Sequence, residues 1–113
     1  MANTLAPAAV NHVMEGSAKA WAQIDGTGTA HTDDSFNCGS LTDNGTGDYS
    51  VALSNNVSNV GNIVGIGMEH VNSDSCAVDI DVSVASALRL KSFDAGTARD
   101  REHLGWSCFG DLA

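Results

Sequence analysis

Residues 40–53, SLTDNGTGDYSVAL, crowd Asp, Asn, Gly and Thr together ahead of an alternating apolar pattern. In a calcium loop of the EF-hand type that began at Asp43, residues 45 and 47 would be early ligands and residue 54 the bidentate acid. Those positions hold Gly45, Gly47 and Ser54. A phosphate cradle would need a following helix and usually a lysine, whereas a strand pattern follows here. The stretch therefore predicts a reversal between two strands with glycines at positive φ, and its turn motif comprises Asp43, Asn44, Gly45, Gly47 and Asp48.

Histidine and serine side chains are the next candidates for chemistry. A nucleophilic triad needs a serine or cysteine within hydrogen-bond reach of a histidine that an acid orients. Nothing in the sequence brings such a pair together, and the G-x-S-x-G elbow of hydrolases does not occur. The histidines are His12, His31, His70 and His103.

Histidine also stands beside acids at two places. His31 is followed by Asp33 and Asp34, which is a possible metal corner, and His70 follows Glu69. A loop or strand end with solvated acids explains both groups more simply. Neither group predicts a metal site.

Asp79 and Asp81 form the remaining carboxylate pair. Two residues apart on one face of a strand, they are about 7 Å from each other, which suits some general acid–base pairs. The outward face of a strand explains them better. We therefore expect a non-enzymatic protein with no catalytic residue, no cofactor and no metal.

The three cysteines are widely spaced, at Cys38, Cys76 and Cys108. No C-x-x-C pair is present, and the first residues lack the basic region of a secretory signal. Reduced thiols that behave as small hydrophobic side chains are the simplest interpretation, with a disulfide as the alternative.

The composition excludes two classes of partner. Lys and Arg total five and the formal net charge is −9, so a basic footprint for nucleic acid is absent. No apolar run approaches the roughly 20 residues of a membrane-spanning helix. Four of the five basic residues fall in residues 89–101, so a basic stripe and an acidic outer face could mark two contact surfaces.

Residues 1–17 differ from the remainder and predict an N-terminal docking arm. Pro7 suits the first turn of a short helix and Gly16 suits its exit. A helix of about ten residues is unstable alone in water, so it needs a partner surface. The apolar residues that would contact this surface are Leu5, Val10, Val13 and Met14.

Residues 18–113 predict an all-β domain, an antiparallel β-sandwich of about seven or eight short strands. Gly65 and Gly67 permit the close approach of another part of the chain. Alternation places Cys76, Val78, Ile80, Val82 and Val84 inward. The predicted strands are 18–24, 35–41, 48–54, 63–71, 76–84, 87–93 and 103–110, with turns at 25–29 and 94–100 and a loop at 55–62.

Several short stretches resemble a small domain that recurs in the structural proteins of tailed bacteriophages, commonly at the ends of tail fibres. They are AKAW (18–21), GTGT (26–29), DSFN (34–37), LTDNGTGDYSV (41–51) and CFGD (108–111). The resemblance implies a virion protein with a β-sandwich fold that assembles as a homotrimer. Residues 22–24 depart from the family, which usually carries a second aromatic residue before the GTGT turn.

Two functions follow from this resemblance. The family domain usually ends a long shaft, whereas this sequence begins seventeen residues before it, so we expect direct docking of the arm on the major capsid protein or another virion component. The first function is a capsid decoration (cement) protein on the virion surface, assembled in the cytoplasm of the host bacterium. The alternative is a tail-fibre or receptor-binding knob that contacts host surface glycans. Trp21 and Phe93 lie on the nominally polar sides of their strands and are the candidate subunit interface.

Overall fold

Two antiparallel sheets packed together make up the computed structural model, which describes residues 16–69 and 76–113. The described residues contain eight strands of six or more residues and a ninth of two, which confirms the predicted all-β sandwich. The strands are β1 (Ala20–Asp25), β2 (His31–Phe36), β3 (Cys38–Gly45), β4 (Asp48–Leu53), β5 (Val64–Glu69), β6 (Cys76–Val84), β7 (Ala87–Asp94), β8 (Thr97–Ala98) and β9 (Leu104–Phe109). A single 3₁₀ turn, Val60–Asn62, precedes β5.

The strands form two separate sheets, and the chain connects their edge strands. Sheet A has the order β2-β1-β9-β5, and sheet B has the order β3-β4-β7-β6 with β8 beside β7. The chain passes between the sheets at both edges, from β2 to β3 and from β5 to β6. The first and last long strands, β1 and β9, pair in the centre of sheet A.

Asn37 forms the corner between β2 and β3, where a single strand over 35–41 was expected. Its φ of 56° is left-handed, a conformation that Asn tolerates, and it turns the chain from sheet A into sheet B. The Asn37 side chain holds the corner: Nδ2 donates to the Lys19 carbonyl at 3.1 Å, and Oδ1 accepts from the Asn55 backbone N–H at 2.8 Å. The prediction of one strand was therefore wrong at this residue.

Residues 31–34 of β2 were not predicted as a strand, and residues 35 and 36 were assigned to the strand predicted over 35–41. Its sequence, HTDDSF, lacks apolar alternation because the strand lies at the edge of sheet A and is largely exposed along its length. Asp33 and Asp34 stand in its middle, beside a register shift in the pairing with β1.

The core lies between the sheets and is built from alternating residues of β1, β4, β7 and β9. Tyr49, Val51 and Leu53 point into it, as the sequence predicts for β4. Each large side chain buried there contributes about 1.5–3 kcal/mol. The buried hydrophobic residues are Ala20, Ala22, Ile24, Tyr49, Val51, Leu53, Val57, Leu88, Leu90, Leu104, Trp106 and Cys108.

The inward alternation predicted for β6 holds at Ile80 and fails at Val84. Ile80 packs against the core, whereas Val84 is 51% exposed. The register between β6 and β7 shifts between Asp81 and Val84, and this irregularity ends the alternation. Sheets A and B approach each other closely at Gly65 of β5, because this residue has no side chain. A Cβ at this position would lie only 2.6 Å from Ile80 Cγ2.

Tyr49 links the two sheets through its hydroxyl group. The hydroxyl donates to Asp100 Oδ1 at 2.5 Å and lies 3.3 Å from the Gly26 carbonyl. The same Asp100 oxygen accepts the Gly47 N–H at 2.8 Å. A Cβ at Gly26 would lie 2.1 Å from the Tyr49 hydroxyl, so only glycine fits beside this ring.

The turn between β3 and β4 has the predicted geometry. Gly45 and Gly47 adopt φ of 136° and 63°, respectively, in the region that favours glycine. Asp43 accepts the Gly45 N–H at 3.0 Å, and Asn44 donates to Ser50 Oγ at 2.8 Å. The motif is thus a strand reversal held by its own side chains.

The docking-arm residues Leu5, Val10, Val13 and Met14 lie outside the described residues. The described chain starts at Gly16, which has a helical backbone, and runs through Ser17 into β1. Within residues 16–69 and 76–113 no helix has the length and apolar character needed to cross a bilayer.

Substituting Gly47 by alanine should destabilise the fold strongly, and Gly28 offers a matched control. Both glycines have φ near 60°, but a Cβ at Gly47 would meet the Ser92 and Arg99 carbonyl oxygens at 2.6 and 2.7 Å, whereas nothing lies within 4 Å of one at Gly28. We expect Gly28→Ala to cost about 1–2 kcal/mol and Gly47→Ala about 3–5 kcal/mol, because overpacking adds to the left-handed strain. Urea denaturation measures both, and equal losses would contradict the close approach at Gly47.

The free energy of unfolding should also fall at alkaline pH, because the Tyr49 hydroxyl ionises more readily in the unfolded chain. Burial raises the pKa of Tyr49 above its ordinary value, and the Asp100 carboxylate adds to this effect. Because the folded pKa exceeds the unfolded value of about 10, the contribution of Tyr49 is complete below that pH and is lost as the pH rises above it. Tyr49 is the one tyrosine in the sequence, so phenolate absorbance reports it alone. Phenolate formation in the folded protein near pH 10 would contradict the buried hydrogen bond.

Candidate functional site: the outer face of sheet A

The outer face of sheet A carries a row of side chains in which three of the four strands contribute an apolar residue and β9 contributes a serine. The register places Phe36 opposite Trp21, Trp21 opposite Ser107, and Ser107 opposite Ile66. Phe36 is 54% exposed and Ile66 is 52% exposed, while Trp21 is half-buried. This row defines an apolar strip on the surface.

A second apolar pair widens the strip. Phe109 lies opposite Val64, which is 61% exposed. On the other side of the strip, the next row joins the polar residues Asp34 and Gln23 with Gly105 and Met68. On the β1 and β2 side, the face thus changes from apolar, near the beginning of β1, to polar near its end.

A shallow groove runs along the middle of this face. It encloses about 210 Å³ between Trp21 and Ile66, with Gly105 and Ser107 of β9 between them. The small residues of the central strand leave this space because their neighbours on β1 and β5 are larger. Gln23 supplies an amide at the polar end.

The outer face of sheet B has the opposite character. The Arg89 guanidinium donates two hydrogen bonds to Asp48, at 2.8 and 2.5 Å, and holds the pKa of that carboxyl below its usual range. The β6–β7 register places Asp79 opposite Lys91 and Asp81 opposite Arg89. The basic residues of β7 therefore lie among acids.

The two remaining basic residues of this region also approach an acid. Arg99 and Arg101 lie 3.7 and 3.5 Å, respectively, from Asp94 Oδ2. Three of the four clustered basic residues are therefore within 4 Å of an acid, and a contact role for this cluster stays a prediction.

The structure keeps the other candidate groups apart or exposed. His31 Nδ1 donates to the Thr29 carbonyl at 3.1 Å, and this hydrogen bond raises the pKa of His31. His31 Nε2 lies 3.0 Å from Asp33 Oδ1, and both side chains are exposed to solvent. Within the described ranges, no cluster of three or more His, Cys, Asp and Glu residues could hold a metal ion. His70 lies outside the described residues, and only the backbones of Asp79 and Asp81 are described.

The candidate interface residues Trp21 and Phe93 lie on the outer faces of different sheets. Both are half-buried, and Phe93 pairs with Ala77 and Ala98 near the end of β7. One flat contact on a single sheet would include Trp21 or Phe93, but not both. Their role in a subunit contact stays a prediction.

Sequence reasoning found Trp21 and missed its partners Phe36, Val64 and Ile66. A signal was present in V-G-I-G, where apolar residues alternate with glycines, since such a strand puts its apolar side chains on the glycine-free face. Phe36 could not be placed beside Trp21 because residues 35–41 were predicted as one strand, which merged the end of β2 with β3.

Cys38 and Cys108 are free thiols. Burial raises the pKa of Cys38 to about 11, and the Cys38 thiol donates to the Trp21 carbonyl at 3.3 Å. Burial also raises the pKa of Cys108. These two thiols pack as apolar side chains and are poor nucleophiles at neutral pH.

A scan of protein-family models, a search of curated proteins and a search of solved structures each found no match to this chain.

The Cys38 thiol should react slowly with alkylating reagents because it is partly buried. With its pKa two units above the ordinary value of 9.0, Cys38 should be alkylated about 100-fold more slowly at pH 8 than in the unfolded chain, because the thiolate fraction falls tenfold per unit. Peptide mass mapping after timed alkylation separates Cys38 from Cys76 and Cys108. The same reaction in guanidinium is the control, and equal rates at Cys38 in both conditions would contradict its protection.

Proposed function

We propose that this chain is a non-enzymatic structural protein of a bacteriophage virion, most specifically a homotrimeric capsid decoration (cement) protein. It docks on the major capsid protein or another virion component through the N-terminal arm of residues 1–17. The outer face of sheet A provides a second contact surface. The homotrimer and the virion context come from the family that the sequence resembles.

The observation that supports an assembly role most directly is the contrast between the two outer faces. Phe36, Val64 and Ile66 are each more than half exposed on sheet A, whereas Arg89 and Asp48 pair on sheet B. Exposed apolar side chains in one contiguous strip are typical of protein contact surfaces. Burying each half-exposed side chain would contribute about 1 kcal/mol, so several together favour association.

The net charge of the chain indicates which face makes this contact. At −9 the chain repels other acidic surfaces, and the repulsion is weakest where charged side chains are few. The apolar strip of sheet A is such a place. We therefore assign sheet A to the partner and the charged face of sheet B to solvent.

A second candidate is the receptor-binding knob, and the groove favours it. An indole next to an amide and a hydroxyl, as Trp21, Gln23 and Ser107 provide, offers an apolar face and hydrogen-bonding groups for a sugar ring. In this alternative the groove contacts a host surface glycan and the particle carries few copies.

Copy number distinguishes the two functions. A cement protein should be present in tens to hundreds of copies per purified particle by quantitative gel densitometry, and its binding should raise the melting temperature of the shell. Single or low double digits would overturn the cement function and support the knob.

The role of sheet A is tested by a matched pair of variants. Ile66 and Val84 are 52% and 51% exposed, on sheet A and sheet B respectively. We expect Ile66→Asp to lower occupancy of the particle at least about tenfold, which corresponds to roughly 1.4 kcal/mol, and Val84→Asp to leave it unchanged. Equal occupancy of both variants would contradict the assignment of the contact to sheet A.

A further inference from the structure

The turn between β3 and β4 contains the one Asn–Gly pair in the sequence, Asn44–Gly45. In such a pair the glycine nitrogen can attack the side-chain carbonyl carbon of the asparagine, because no Cβ crowds the glycine. The asparagine side chain then loses its amide group by deamidation. The proposed function assigns no role to this turn.

Deamidation at this pair consumes one water molecule and releases one ammonia molecule. The Gly45 nitrogen loses its proton and forms a bond to Asn44 Cγ, while the Cγ–Nδ2 bond breaks and ammonia leaves with that proton. Water then opens the resulting succinimide ring at one of its two carbonyl carbons. The product is an aspartate, or an isoaspartate whose backbone continues through the side-chain carboxyl carbon. The reaction needs no oxidant, reductant or other reactant.

Water reaches this pair, and the backbone at Asn44 is irregular. Asp43, Asn44 and Gly45 are all exposed. In the β3–β4 register Asp43 lies opposite Tyr49 and Gly45 lies opposite Asp48, so the register skips Asn44 as it does at a β-bulge. No atom of the described residues lies within 4 Å of a Cβ built at Gly45. Packing therefore does not prevent the pair from rearranging.

Hydrogen bonds hold the two groups that must react. Asn44 Nδ2 donates to Ser50 Oγ at 2.8 Å and lies 3.4 Å from Asp48 Oδ1. This contact fixes the orientation of the amide, so Cγ turns towards the nitrogen only after the bond to Ser50 breaks. The Gly45 N–H donates to Asp43 Oδ1 at 3.0 Å. A carboxylate beside this N–H disfavours the nitrogen anion that attacks, because like charges repel.

The one Asp–Gly pair in the sequence, Asp25–Gly26, is held more firmly against the same ring closure. The Gly26 N–H donates to the Arg101 carbonyl at 2.7 Å, and a Cβ at Gly26 would overlap the Tyr49 hydroxyl. Core packing thus restrains the backbone at Gly26. At Asn44–Gly45 the restraint comes from side chains of the turn and of β4.

We propose that Asn44 is a site of spontaneous deamidation and that the folded turn controls its rate through Ser50 and Asp43. The pair reacts slowly while both hydrogen bonds are formed and faster when either is lost. The product carries a carboxylate in place of a hydrogen-bond donor, beside Asp43 and Asp48, and repulsion among these charges weakens the reversal. This inference does not depend on the proposed function.

Timed incubation of the full-length protein in mildly alkaline buffer tests the site. A protease that cleaves after aromatic residues yields residues 37–49, which contain Asn37 and Asn44. Fragment-ion mass spectrometry assigns the change in mass to one asparagine or the other. Asn37 is the internal control, because Cys38 follows it and crowds the attacking nitrogen. Conversion at Asn37 ahead of Asn44 would overturn the proposal.

The same incubation in guanidinium gives the rate without the folded turn. The folded wild type should convert at Asn44 at least about tenfold more slowly than the unfolded chain, because two hydrogen bonds must break first. Equal rates in the two conditions would overturn control by the fold.

Variants test the two hydrogen bonds separately. Ser50→Ala should accelerate conversion at Asn44 about fivefold, as expected for the loss of one hydrogen bond, and Asp43→Ala should also accelerate it. Ser50→Thr keeps the hydroxyl and should convert at the wild-type rate. Ser35→Ala, at a serine of β2 that is half-buried like Ser50, should leave the rate unchanged.

Circular dichroism confirms that each variant keeps the β fold before rates are compared. Wild-type rates in both Ser50→Ala and Asp43→Ala would overturn the proposal. Equal acceleration in Ser50→Ala and Ser50→Thr would overturn the role of the Ser50 hydroxyl.

Discussion

The hydrogen bond from the Tyr49 hydroxyl to Asp100 is the interaction on which the rest of the structure depends. Tyr49 belongs to sheet B, its hydroxyl lies against Gly26 at the end of β1, and Asp100 stands in the segment that leads to β9. Asp100 also holds Gly47, so one carboxylate joins the β3–β4 turn, the core and the chain's return to sheet A. A buried hydroxyl without such an acceptor would cost about 1–3 kcal/mol. Glycine is required at 26 because the Tyr49 ring lies too close for a side chain, and at 47 because the backbone of Ser92 and Arg99 does.

The parts of the fold that sequence could predict are those where one face of a strand is buried. The strand β4 alternates cleanly, so its inward residues Tyr49, Val51 and Leu53 were identified correctly, and β7 and β9 alternate in the same way. Residues 31–34 of the edge strand β2 could not be found, because exposure on both sides removes the apolar period. The corner at Asn37 depends on contacts with Lys19 and Asn55, which are far away in sequence.

The candidate site on sheet A also depends on contacts between residues that are distant in sequence. Trp21 stood out because an indole occupied a polar position, but Ile66 and Phe36 join it only through the order of β2, β1, β9 and β5 in sheet A. Strand order depends on long-range pairing, which local alternation does not encode. The ion pairs of sheet B were hidden for the same reason: Arg89 and Asp48 are 41 residues apart. Charge counted along the chain therefore could not show that Arg89, Arg99 and Arg101 lie beside acids in the fold.

The acids of β2 have a consequence for how copies of this chain can associate. An edge strand offers unpaired backbone groups to which a strand from another molecule can add, and open-ended fibrils grow in this way. Asp33 and Asp34, together with the irregular pairing beside them, place negative charge where such a strand would lie. In a molecule that is already acidic, this disfavours the addition of another strand at the β2 edge. Association through sheet faces would instead give an oligomer of fixed size where the contacts close into a ring.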